Sequence, residues 1–243
     1  MYLILFFACV AMQIIWLPFY VDFGFMKIPY TPQKMICSTL FIAAGAFAAA
    51  YCECPSRYSI FILIAFVLSW AGDLALAKNS RGWRFVCGLS SFLLAHVCFI
   101  VSFYYAQKIM FCETKFITKG EIVAIIAVFA VLLMLKAVLK IKFGSLSAPV
   151  AVYALAICTM LVKAFYVGIR AVMLGVPHAY PTAAVLMTAA VLFVISDAVL
   201  VLILFKDKYS QLTEGVNIVT YYIAQMLFAG SIILVHSGAV AVS

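Results

Sequence analysis

Two aspartates stand where carboxylates are expensive to keep. Asp73 lies in the run LSWAGDLALA and Asp197 in LFVISDAVLVL, both inside otherwise apolar sequence. A carboxylate at the centre of a membrane span costs at least ~2.5–3.5 kcal/mol on insertion scales, so each must face a polar interior or carry a proton. The other six acidic residues (Asp22, Glu53, Glu113, Glu121, Asp207 and Glu214) fall in expected loops or at span ends. Burial raises a carboxyl pKa and a nearby second carboxylate drives the two titrations apart, so a buried pair can supply one acid and one base. The same pair can build a proton relay in a transporter, or serve only structure when hydroxyls or a lysine satisfy it.

Further polar side chains share the apolar stretches. His96 sits in FLLAHVCF, Tyr153 in VYALAICTML, and Tyr221, Tyr222 and Gln225 in VTYYIAQMLF. Tyr221 and Gln225 are spaced i, i+4 and share one helix face. Lys163 and Arg170 stand toward the far end of their span, where a lysine snorkels to the interface or meets a lipid phosphate. The eight cysteines are scattered, mostly in apolar runs, and read as small buried hydrophobes; the Cys52/Cys54 pair has no second pair or histidine at ligand spacing. No metal or cofactor site is predicted, and no GxSxG serine-hydrolase motif occurs.

The elements that must position these groups follow from composition. Of 243 residues, 68% are hydrophobic and 10% charged, and the mean hydropathy is +1.23. Soluble domains run near 45–50% apolar and ~25% charged, so a soluble globule, a disordered chain and a disulfide scaffold are excluded. The net charge of +8 is read as lipid-facing loop charge that orients spans, not as a nucleic-acid surface. Continuous apolar runs exclude the alternating strands of an outer-membrane barrel. They predict an all-α, polytopic helical bundle forming one integral membrane domain over 1–243, with spans at Leu3–Tyr20, Met35–Tyr51, Tyr58–Ala77, Trp83–Ala106, Ile122–Leu139, Ala148–Ile169, Pro181–Phe205 and Val216–His236. The first is read as a retained span, since it has no Lys or Arg before Lys27 and no small-x-small cleavage site before Asp22. Lys and Arg divide ten to six between the two sides, which puts both termini outside.

Alternation of direction then aligns the polar groups. Spans 3 and 7 run the same way, and at 1.5 Å per residue Asp73 and Asp197 both fall about 22–24 Å along them. That is the level at which spans 6 and 8 begin, with Tyr153, Tyr221, Tyr222 and Gln225. The aspartates are also 124 positions apart, about half the chain, and FLLAHVCF aligns with YYIAQMLF so that His96 matches Gln225. A parallel 4+4 internal repeat explains both coincidences.

The segments WAGDLALA, FVCGLSSFLLAHVCFIVSFYY, VYALAICTMLVKA, LFVISDAVLVL and VTYYIAQMLF, in this order over residues 66–230, resemble the YhhN family of lysoplasmalogenases. Spans 1 and 2 carry no part of the resemblance. It implies an eight-span enzyme that hydrolyses the vinyl ether bond of lysoplasmalogen, a lysophospholipid, to a fatty aldehyde and glycerophosphocholine or glycerophosphoethanolamine. Its motif residues fall on Gly72, Asp73, Gly88, His96, Tyr153, Ser196, Asp197, Tyr221, Tyr222 and Gln225. Asp73 and Asp197 would share the acid and base roles, with His96, Tyr153, Ser196, Tyr221, Tyr222 and Gln225 orienting water or substrate and Lys163 contacting the headgroup. The expected setting is the cytoplasmic membrane of a bacterium or the endoplasmic reticulum of a eukaryote, with membrane lipids as neighbours. A hydrolase of another lysolipid or ether lipid, and a proton-coupled transporter, remain the alternatives.

Overall fold

A computed structural model describes residues 1–22, 30–53, 55–77, 82–206 and 210–239. Within them the chain forms eight α-helices: α1 (Tyr2–Asp22), α2 (Tyr30–Tyr51), α3 (Arg57–Ala75), α4 (Trp83–Phe111), α5 (Lys119–Val138), α6 (Ser147–Leu174), α7 (Ala179–Lys206) and α8 (Gln211–Ser237). No strand occurs among the described residues. Seven of the helices are long and apolar enough to cross a membrane; in α1 the apolar stretch Tyr2–Pro18 falls short of that length. Cys54, Asp207 and residues 24–29 of the expected first loop lie outside the described residues. Thr31 to Lys34, which the expected spans leave between the first helix and the second, already belong to α2. Pro32 is tolerated there because the first-turn N–H groups have no intrahelical partner.

Local sequence sets the helix ends. Ser56 caps α3 by accepting from the Ser59 N–H at 3.2 Å. Thr118 and Glu121 close a capping box on α5, as Ser210 and Thr213 do on α8. Gly175 ends α6 with φ +62°, a left-handed conformation that costs glycine little.

Outward faces carry bare aliphatic side chains: Ile4 is 73% exposed and Val123 on α5 68%. Water would penalise such a surface, whereas hydrocarbon does not, so the chain is a multi-pass membrane protein. α3 and α4 pack closely along their length. A Cβ on Gly72 would meet the Phe92 ring at 2.7 Å, and one on Gly88 would meet Leu76 at 2.7 Å. Both motif glycines therefore act by letting two helices close on each other.

The helix neighbours follow the order a parallel repeat demands. α1–α2, α2–α3, α3–α4 and α2–α8 are matched by α5–α6, α6–α7, α7–α8 and α6–α4. The match breaks in two places. α8 touches α1 and α3 backbone to backbone, whereas α4 makes no such approach to α5 or α7. Among the described residues, α6 is accordingly the one helix that α5 approaches backbone to backbone.

Candidate functional site

Asp73 occupies the last turn of α3, where the unpaired carbonyls give the helix end a partial negative charge that disfavours a carboxylate. Three donors offset this. Lys34 Nζ lies 3.1 Å from Oδ1, while Ser38 Oγ and the Tyr221 hydroxyl donate to Oδ2 at 2.7 and 2.8 Å. Lys34 and Ser38 are one turn apart on α2, so one helix face delivers both. The Tyr222 hydroxyl lies 3.0 Å from Ser38 Oγ and donates to the Lys34 carbonyl at 3.1 Å, tying α8 to the start of α2. Asp73 is 2% exposed.

Asp197, on α7, is held differently. Its Oδ2 accepts from the Tyr153 hydroxyl at 2.6 Å and lies 3.2 Å from His96 Nε2. The same Nε2 is 3.0 Å from the Tyr153 hydroxyl, and the two rings meet edge to face at 5.1 Å. Oδ1 of Asp197 takes no partner among the described residues, and the side chain is 13% exposed. The difference from Asp73 has a cause in the fold: α8 closes directly on α3, but α4 reaches α7 only through side chains such as His96 and Phe193.

Both carboxylates line one cavity of about 1010 Å³. Lys34, Ser196, Asn217, Tyr221 and Tyr222 share its polar wall; Phe85, Val86, Leu200, Leu204 and Phe205 are among its apolar lining. Ser196 does not reach Asp197's carboxylate. Instead the Asn217 side chain donates to its carbonyl at 2.8 Å and its Oγ at 3.0 Å, fastening α7 to α8 beside the aspartate. Gln225 and His96 are fully buried. Such a site offers a cavity part polar and part apolar, one carboxylate saturated with donors, and one with an oxygen open for proton transfer.

The structure thus brings together Asp73, Asp197, His96, Tyr153, Ser196, Tyr221 and Tyr222, with Gln225 one turn behind Tyr221. It does not bring Lys163. That side chain is wholly buried, paired with Glu121 at 3.0 Å and donating to Gln107 at 2.7 Å. It lies ten residues, about 15 Å, along α6 from Tyr153, and its ammonium is consumed there and has no reach to a headgroup at the cavity. Glu121, expected at a span end, is accordingly a third buried carboxylate. Among the cysteines, Cys9, Cys37, Cys52 and Cys158 are buried as expected, but Cys87 and Cys112 are exposed. No three His, Cys, Asp or Glu side chains among the described residues gather as metal ligands would.

Sequence reasoning assigns Lys34 to a loop and passes over Ser38, Asn217 and Ser69. A signal for the first two exists in their i, i+4 spacing at the head of an apolar run. For Ser69, four residues before Asp73, the same spacing applies; for Asn217 nothing short of the fold reveals its partner.

An eight-helix bundle with two aspartates lining one cavity defines a class of polytopic membrane protein rather than a soluble enzyme or barrel. Within that class, the family model described as the YhhN family matches residues 33–232, and the chain belongs to that family. Searches of curated proteins and of solved structures return no match.

Proposed function

We propose that this protein is a membrane-embedded hydrolase that cleaves the vinyl ether bond of lysoplasmalogen, releasing a fatty aldehyde and a glycerophospho-alcohol. The observation that carries the reading is the pair of carboxylates lining one cavity with unequal partners: Asp73 saturated by Lys34, Ser38 and Tyr221, Asp197 with Oδ1 open. A vinyl ether is cleaved by protonation of its β-carbon, which leaves an oxocarbenium ion that water attacks. Asp197 supplies the proton from Oδ1; His96 and Tyr153, bonded to Oδ2, stabilise the carboxylate that results. The same Oδ1 then takes a proton from the attacking water, whose oxygen bonds to the cationic carbon to give a hemiacetal. That step restores the enzyme, and collapse of the hemiacetal moves its hydroxyl proton to the departing glycerol oxygen, leaving the aldehyde. Asp73 is the fixed anion that orders Lys34 and Tyr221 in the polar part of the same lining, with Ser38 behind them, and water and the glycerol end of the substrate lie against that part. The apolar part of the lining takes the alkenyl chain. The orientation expected from loop charge, both termini outside, would put the ends of α3 and α7, and the cavity mouth with them, in the inner leaflet.

Support also comes from family membership and from α3 and α7, which are continuous helices through their aspartates, without the interruptions on which transporters build ion sites. The test is reconstitution in lipid vesicles with lysoplasmalogen and with its saturated ether analogue. Aldehyde release from the first alone is expected, and at least 100-fold loss in folded Asp197→Asn and Asp73→Asn variants. No aldehyde from the wild type refutes the reading, and wild-type turnover in either variant removes that residue from the mechanism.

A further inference from the structure

His96 has one nitrogen accounted for and one not. Nε2 faces Asp197 and Tyr153, but Nδ1 is buried with no hydrogen-bond partner, and so are Ser69 Oγ and both polar atoms of Gln225. All three residues are fully buried. Four orphaned polar atoms would be unremarked if scattered; these sit on helices that share one set of aromatic contacts. α4 and α8 run parallel, and Phe92 meets Tyr221 at 6.0 Å while Phe99 meets Phe228 at 4.6 Å. His96 falls four residues after Phe92 and three before Phe99; Gln225 falls four after Tyr221 and three before Phe228. The two side chains therefore occupy matching positions between the same pair of aromatic contacts. Ser69, one turn before Asp73 on α3, and Gln225 both approach the Tyr221 hydroxyl, but without hydrogen-bond geometry to it, so their polar atoms stay unpaired. Phe193 packs on both the His96 and Tyr221 rings, at 4.9 and 5.5 Å, and walls the group with apolar surface.

We propose that His96, Gln225 and Ser69 enclose an ordered water that fixes the imidazole proton on Nε2 and joins the hydrogen-bond networks of the two aspartates. Buried polar atoms are nearly always paired, and a buried water makes about three hydrogen bonds, the number this cluster supplies. The water accepts from Ser69 Oγ–H and the Gln225 amide and donates to Nδ1. With Nδ1 accepting, the ring proton stays on Nε2 and points at Asp197 Oδ2 and the Tyr153 oxygen. Oδ2 is then saturated, and the proton that Asp197 gives and regains is confined to Oδ1, on the cavity side. Gln225 and Ser69 are positioning residues, acting on Asp197 through His96, and they touch Tyr221, the donor to Asp73. The consequence for turnover rests on the proposed hydrolase reading; the water and the tautomer do not.

The experiment is nitrogen NMR of the full chain, labelled with 15N-histidine, in lipid nanodiscs. The sequence has three histidines, so His178→Gln and His236→Gln assign the spectrum. The expected wild-type signature of His96 is a protonated Nε2 and an unprotonated, hydrogen-bonded Nδ1. Gln225→Leu and Ser69→Ala should each move the Nδ1 resonance toward its unbonded value or switch the tautomer. Each should also lower kcat about tenfold with KM within twofold. A protonated Nδ1 in the wild type overturns the proposal. So does an unmoved Nδ1 in Ser69→Ala, which would mean that Gln225 bonds the ring without a shared water. Ser69→Ala removes a single hydroxyl and carries the test if Gln225→Leu fails to fold. A wild type with the expected tautomer but no aldehyde release refutes the hydrolase reading and leaves the water site standing.

Discussion

Deleting the Lys163 ammonium separates two roles that sequence position alone confuses. Nζ lies 3.0 Å from Glu121 Oε1, with the two side chains 0% and 1% exposed. At that separation and an effective dielectric constant near 20, the attraction is about 5 kcal/mol. Desolvation of both ions consumes most of it, so the pair contributes little net stability, but removing one partner strands the other at a cost of about 3–5 kcal/mol. Lys163→Met should therefore destabilise the fold by that amount. Glu121→Gln should cost somewhat less, because a carboxamide oxygen still accepts the Thr118 N–H that Glu121 Oε2 now holds at 2.7 Å. The double variant Lys163→Met/Glu121→Gln should recover more than half of the summed loss, since no buried charge is left alone. Reversible unfolding in mixed micelles, titrated with sodium dodecyl sulfate, measures all four states of the cycle. Aldehyde release per folded molecule should stay within about twofold of wild type, because the pair acts away from the cavity. Two results refute the reasoning: Lys163→Met as stable as wild type, or a double variant losing the full sum of the singles. Unchanged stability with lost turnover would return Lys163 to the headgroup.

Gly72→Ala should cost about 1–3 kcal/mol, since the new Cβ would sit 2.7 Å from the Phe92 ring, and Phe92 in turn abuts Tyr221. Adding Phe92→Leu should restore much of the stability in the same unfolding assay, and an additive double variant would exclude a clash at that seam. Tyr153→Phe removes the 2.6 Å donor to Asp197 and leaves His96 alone on Oδ2, so kcat for aldehyde release should fall about 10–100-fold; wild-type kcat would place Tyr153 outside the mechanism.

Much of this protein is legible without coordinates. Continuous apolar runs can satisfy their backbone in hydrocarbon only as helices, so the eight elements follow from composition, and their ends from charge, proline and capping residues. Asp73 and Asp197 stand out because almost nothing else in those runs is charged, and alternation of direction puts both at the level of Tyr153 and Tyr221. The neighbour order of a 4+4 repeat follows from the spacing of the two aspartates. Pairing at the atomic level does not. Lys34 and Lys163 are both lysines near a span end; one grips Asp73 and the other Glu121, because which faces of α2 and α6 turn inward depends on neighbours far away in sequence. The inequality of the two aspartates is equally invisible. It arises because α8 closes on α3 while α4 meets α7 only through side chains, a departure from symmetry that local propensity does not encode. Sequence fixes which groups must find partners in a medium without water, and packing between distant helices decides which partners they find.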